Sequence, residues 1–116
     1  MYDKYYKVRE FLSNCGFVQP DINSETGVHY VYLMPAEKAR FDINLNGRVC
    51  SAYYPDLQYN KKNINAYSTK ETVVSLKWEE TDSPELIIQN LKDFFTKILT
   101  ILGRVWYDTK IHQSSF

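Results

Sequence analysis

The residues that could hold a metal or act as a nucleophile are few, and they are scattered along the chain. The two cysteines, Cys15 and Cys50, form no CxxC pair, and the two histidines, His29 and His112, lie far apart in the sequence. Metal sites normally draw on clustered ligands at short spacing. We therefore predict no metal site, no cofactor and no catalytic residue, and we expect that the protein is not an enzyme.

The positions of both cysteines favour a packing role. Cys15 falls on the apolar stripe of a predicted helix, and Cys50 falls on the inward face of a predicted hairpin. A reactive thiolate needs an accessible and electropositive environment, which neither position indicates. We interpret both residues as small core side chains.

The strongest candidate for function is a long loop, residues 55–70, between two predicted strands. Structureless connections of this length are uncommon inside compact domains. Tyrosine side chains often anchor interfaces, and interleaved lysines can pair with phosphates. The predicted partner-binding residues are Tyr53, Tyr59, Lys61, Lys62, Tyr67 and Lys70.

Three interpretations of this loop remain open. The loop could contact a partner protein, with tyrosine anchors and adaptable asparagine hydrogen bonds. It could bind single-stranded nucleic acid, with bases stacked on the aromatic rings. It could also fold back onto the core and leave its lysines solvated. The formal net charge of zero, from 14 basic and 14 acidic residues, counts against nucleic acid.

Composition indicates one ordinary globular domain. The chain has 116 residues, of which 44% are hydrophobic and 24% are charged, so it can bury a core without disulfides or metals. No apolar run approaches the roughly 20 residues that a membrane span needs. Residues 1–12 lack the apolar segment of a signal peptide. We therefore expect a cytoplasmic protein that does not bind membranes.

Hydrophobic periodicity predicts two helices and four strands. The sequence predicts helices at about 3–15 and 84–102, strands at about 28–34, 39–45, 48–54 and 72–79, and a tail at 104–116. Gly16 and Gly103 are expected to end the helices, and Ser83 and Pro84 to begin the second. Apolar residues on both faces of the first strand indicate an interior strand or one covered by a helix.

The clearest local signal is a hairpin around Asn46-Gly47, the preferred pair for a two-residue type I′ turn. With that turn, Ile43 faces Cys50 and Phe41 faces Ala52. One face of the hairpin is then apolar, and the other carries the polar residues of the two strands.

The predicted architecture is an α+β two-layer domain. An antiparallel meander of about four strands carries the N-terminal and the C-terminal helix on one face, and its other face is open. The expected function is that of a non-catalytic module, such as a regulator or an immunity-type or phage-type inhibitor, which contacts a partner protein through the loop and the neighbouring sheet face. Single-stranded nucleic-acid binding is the alternative, a small enzyme with an unrecognised site is the second alternative, and the sequence is also compatible with a homodimer.

Overall fold

The protein has the α+β fold that the sequence predicts. A computed structural model describes residues 4–20, 27–56 and 70–103. Its elements are, in chain order, α1 (Tyr6–Asn14), β1 (His29–Met34), a short 3-10 turn (Pro35–Glu37), β2 (Ala39–Asn44), β3 (Val49–Pro55), β4 (Glu71–Lys77) and α2 (Pro84–Ile101). The tail 104–116 and the loop residues 57–69 lie outside the described residues.

The four strands form one antiparallel meander in the order β1-β2-β3-β4. Next to β1, Val18 and Val31 form an isolated bridge, which extends the sheet by one residue on that side. Among the described strands, β1 is therefore at one end of the order rather than in the interior. Its core face is covered by the helices, which is the second of the two predicted alternatives.

The β2–β3 hairpin has the predicted register but a different turn. Ile43 pairs with Cys50 as expected. The residue with positive φ is Arg48 (52°), and neither Asn46 nor Gly47 has positive φ, so the type I′ prediction is wrong. A two-residue turn would set Arg48 opposite Leu45 on the buried face, where its charge could not be solvated. The longer turn avoids that burial.

Local signals define the ends of both helices. Beyond α1, the N–H of Gly16 donates to the carbonyl of Ser13 at 3.0 Å, and that of Phe17 donates to Leu12 at 3.0 Å. With φ of 96° at Gly16, this is the Schellman arrangement that only glycine adopts without strain. At the start of α2, the Ser83 hydroxyl accepts from the N–H of Leu86 at 3.1 Å, which confirms the predicted N-cap.

The core lies between the sheet and the two helices, and aromatic rings join the layers. The ring of Phe95 in α2 lies 4.8 Å from that of Phe41 in β2 and 6.3 Å from that of Phe11 in α1. Cys15 and Cys50 are both fully buried in this core. The helical periodicity predicts Ile101 on the apolar side of α2, but Ile101 is 42% exposed, whereas the next residue, Leu102, packs partly against the core.

Candidate functional site

One face of the sheet is not covered by either helix, and we call it the open face. Its side chains alternate with those of the core along every strand. The described members of the open face are His29, Val31, Leu33, Arg40, Asp42, Asn44, Val49, Ser51, Tyr53, Pro55, Glu71, Val73, Ser75 and Lys77, of which Val31 is buried. This face combines polar and charged groups with a few exposed apolar side chains.

A row of four residues crosses the open face, one from each strand. Leu33 pairs with Arg40, Arg40 pairs with Tyr53, and Tyr53 pairs with Val73. We call Leu33, Arg40, Tyr53 and Val73 the tyrosine row. Leu33 is 60% exposed and Val73 is 52% exposed. The row therefore places apolar side chains at its two ends and a cation beside an aromatic ring at its centre.

Arg40 is held in place at the centre of the tyrosine row. Its guanidinium carbon lies 3.9 Å from the centroid of the Tyr53 ring, which is a close cation–π contact. Its Nη1 also lies 3.7 Å from a carboxylate oxygen of Glu71. A side chain restrained in this way loses less conformational entropy when a partner binds to it.

The long loop leaves the sheet beside the tyrosine row. Pro55 and Glu71 form the last pair of β3 and β4. Beyond them, the N–H of Asp56 donates to the carbonyl of Lys70 at 3.1 Å. The Lys70 ammonium lies 4.0 Å from the Asp56 carboxylate. Tyr53 precedes Pro55 by two residues, so the loop begins about 7 Å from the row.

The structure separates the predicted site residues into two groups. Tyr53 lies on the open face and Lys70 at the base of the loop, where its ammonium is exposed. The remaining four, Tyr59, Lys61, Lys62 and Tyr67, lie outside the described residues. Tyr54 is buried at 8% exposure, so the two adjacent tyrosines serve opposite sides of the sheet.

Sequence reasoning missed the other members of the row. Leu33, Arg40 and Val73 come from three different strands, and nothing in their local sequence brings them together. The alternation along β2 does place Arg40 on the polar face. Only the pairing of β1 with β2 and of β3 with β4 shows that these residues are neighbours of Tyr53.

The polar groups next to the tyrosine row on the open face form hydrogen-bonded pairs. His29 Nε2 lies 2.8 Å from Asp42 Oδ1, and the Ser51 hydroxyl lies 2.9 Å from that of Ser75. Among the described contacts, His29 therefore meets a carboxylate rather than a serine. A nucleophile with its own base would need the histidine beside the hydroxyl. In the described part of the chain, this face shows pairs that stabilise the sheet.

The Cys50 thiol is unsuited to react. Burial raises the pKa of the Cys50 thiol far above its usual range, and the nearby negative charge of Asp42 adds to the rise. The thiol therefore stays protonated at neutral pH, and a protonated thiol is a poor nucleophile and metal ligand. Within residues 4–20, 27–56 and 70–103, no three side chains from His, Cys, Asp and Glu are placed together to hold a metal.

Comparison with known proteins gives no relative from which a function could be inferred, so the function is inferred from the surface of the chain itself. No protein-family model matches the sequence, and neither the curated proteins nor the solved structures include a significant match. Neither of the two described helices has the length and apolar character needed to cross a bilayer. The tyrosine row and the base of the loop remain the features that call for a functional explanation.

Proposed function

We propose that the protein is a non-catalytic module that binds a partner protein through the tyrosine row and the adjoining loop. The observation that carries the proposal is the row itself, with Leu33 and Val73 exposed on either side of the stacked Arg40 and Tyr53. A regulator or an inhibitor of the immunity or phage type is the class of protein we favour, because such modules act by occupying a surface of their partner.

The composition of the row supports a protein partner. Tyrosine and arginine are the residues that, with tryptophan, most often carry the binding energy of protein interfaces. Apolar side chains around them exclude water when the partner docks. Leu33 and Val73 are each more than half exposed, so their burial by a partner would contribute apolar area at both ends of the row.

The charges around the row support protein over nucleic acid. Arg40 lies 3.7 Å from Glu71, and Lys70 lies 4.0 Å from Asp56. These carboxylates would repel phosphates and already offset the two nearby cations. A single-strand binder normally presents a positive groove. Nucleic-acid binding therefore depends on Lys61 and Lys62, which lie outside the described residues, and it is the alternative that the experiment must test.

A pull-down with matched variants tests the proposal. Tagged wild-type protein is used to capture partners from a lysate of the source organism, in parallel samples with and without nuclease treatment. The Leu33→Ser and Tyr53→Ala variants are expected to lose the captured protein, because both remove exposed side chains of the row. Leu86→Ser is the matched control, since Leu86 is 46% exposed but lies on α2.

The control decides how the result is interpreted. Loss of capture by the row variants, with Leu86→Ser and the folding of all variants unaffected, supports the proposal. Equal capture by the wild type and both row variants would contradict it. Loss of the wild-type partner after nuclease treatment would favour the nucleic-acid alternative instead.

A further inference from the structure

The two edges of the sheet differ in how their main-chain groups are used. The N–H of Asp56 donates to the carbonyl of Lys70, and the N–H of Trp78 donates to the carbonyl of Arg48. In an antiparallel pair, residues that exchange hydrogen bonds alternate with residues that do not. The residues of β4 that direct their N–H and C=O groups away from β3 are therefore Glu71, Val73, Ser75 and Lys77.

The opposite edge is already paired. Val18 and Val31 exchange hydrogen bonds of 2.9 and 2.8 Å, so a segment of the same chain blocks the centre of the outer edge of β1. Among residues 4–20, 27–56 and 70–103, no strand pairs with the outer edge of β4. An open strand edge is a template for pairing with another chain.

We infer that the outer edge of β4 pairs with β4 of a second copy of this chain, forming a symmetric antiparallel dimer with one continuous sheet. The twofold axis lies at Val74. Glu71 then pairs with Lys77 of the second copy, Val73 pairs with Ser75 of the second copy, and the same two pairs recur on the other side of the axis.

The charges of β4 favour this register. In this dimer the Glu71 carboxylate of each copy lies opposite the Lys77 ammonium of the other copy. Opposite charges at directly paired positions stabilise an antiparallel pair. Both side chains are exposed in the single chain. A register moved by two residues would break both of these charge pairs, because they are related by the twofold axis, and would shorten the overlap. The same residues therefore attract a copy and fix its alignment.

The side chains on the two faces are also compatible with pairing. On the helix side, Val74 meets Val74 of the second copy across the axis, and both are only partly buried against the core of their own chain. On the open face, Val73 lies beside Ser75 of the second copy. The dimer would cover part of Val73, while the far end of the row, at Leu33, would stay accessible to a partner.

Charge-reversal variants at Glu71 and Lys77 test the inference. Sedimentation velocity from about 1 µM to about 1 mM should show a concentration-dependent monomer–dimer equilibrium for the wild type. Glu71→Lys and Lys77→Glu should each weaken the dimer by roughly tenfold or more, because each places like charges opposite one another twice. Lys97→Glu, an exposed change on α2, is the matched control and should leave the equilibrium unchanged.

Mixing the two single variants gives the decisive result. A Glu71→Lys chain and a Lys77→Glu chain place opposite charges together at both positions, so an equimolar mixture should recover the dimer that neither variant forms alone. The doubly exchanged chain should also dimerise with itself. A wild type that stays monomeric throughout the range, or a mixture that stays as monomeric as its components, would overturn the inference.

Hydrogen exchange separates a second copy from other occupants of the edge. The amides of Val73 and Ser75 should become protected as the protein concentration rises. Protection that is already complete where the protein is monomeric would show that the same chain covers this edge, which contradicts the dimer. This result does not depend on the proposed partner, whose binding is measured through Leu33 and Tyr53.

Discussion

The guanidinium of Arg40 lies against the ring of Tyr53 at 3.9 Å, and the two residues are directly paired across β2 and β3. The contact places a positive charge and an aromatic surface together in the middle of the open face. Because Glu71 lies 3.7 Å from the same guanidinium, the arginine is held by two neighbours before any partner arrives. This arrangement suits a rigid contact surface better than a mobile phosphate clamp.

Replacing Tyr53 should weaken partner binding without unfolding the protein. Tyr53→Ala removes the ring under Arg40 and should reduce affinity for the partner at least tenfold, a typical loss for an aromatic anchor. Tyr53→Phe keeps the ring and should bind nearly as well as the wild type. Isothermal titration with the purified partner measures both. An alanine variant with wild-type affinity would show that the row is not the contact surface.

The loop lysines should distinguish the two classes of partner. For a protein partner, Lys61→Ala with Lys62→Ala should mainly slow association and have little effect at physiological salt. For a nucleic acid, the same change should reduce the slope of log affinity against log salt by about one to two units. Affinity measured over a salt series gives the answer, with Lys97→Ala on α2 as the control.

The loop tyrosines supply a separate prediction. Tyr59→Ala with Tyr67→Ala should weaken partner binding and leave the melting temperature within a few degrees of the wild type, because a contact surface contributes little to the core. Thermal denaturation beside a binding titration checks both. A collapse of the melting temperature would instead identify the loop as part of the core.

The hairpin register predicts opposite costs at adjacent positions. Ile43 is fully buried and pairs with Cys50, so Ile43→Asp buries an unpaired charge and should unfold the domain. Asp42→Ala, on the open face, loses its 2.8 Å contact with His29 and should cost no more than about 1 kcal/mol. Urea denaturation followed by circular dichroism measures the two free energies. Equal costs would contradict the register.

Two glycines should respond differently to alanine. Gly16 has φ of 96°, and an added Cβ would lie 3.3 Å from the Tyr32 ring, so Gly16→Ala should cost about 1–2 kcal/mol or more. Gly47 has no positive φ, and an added Cβ would make ordinary contacts at 3.6 Å. Gly47→Ala should therefore be neutral or stabilising. A large loss at Gly47 would indicate the type I′ turn after all.

The buried Cys50 thiol should make stability fall in alkaline solution. The pKa of this thiol is raised in the folded state, so above the unfolded-state pKa of about 8.5 the unfolded chain loses the proton more readily than the folded one. The free energy of unfolding is therefore unaffected by this thiol below that pH and declines as the pH rises beyond it. The decline approaches about 1.4 kcal/mol per pH unit for one proton. Burial also raises the pKa of Tyr30, but that contribution is common to wild type and variant.

Comparison with Cys50→Ala isolates the thiol. This variant should cost about 1–2 kcal/mol at pH 7 through lost packing and should lose less stability than the wild type between pH 8 and pH 10. Ser51→Ala, its neighbour on the open face, should retain the wild-type dependence. Parallel stability curves for the wild type and Cys50→Ala would show that the thiol ionises as easily folded as unfolded.

Local patterns in the sequence determined the helices and strands and which of their side chains point toward the core. Alternation along β2 and β3 placed Phe41 and Ile43 inward and set the pairing of Ile43 with Cys50, because a shift of one residue would bury charged groups. Ser83 and Gly16 marked helix ends through hydrogen bonds that span only three to five residues. Such signals can be recognised from the sequence because their partners are close in the chain.

Tertiary structure decided the turn and the site. Asn46-Gly47 favours a type I′ turn locally, but the positive φ lies at Arg48 instead. A two-residue turn would set Arg48 beside Leu45 on the buried face, where an unsolvated charge is costly. The tyrosine row depends on three strand registers at once, and its members Leu33 and Val73 are forty residues apart in sequence. Each register follows from how apolar side chains of distant segments share one core, which no short stretch of sequence encodes by itself.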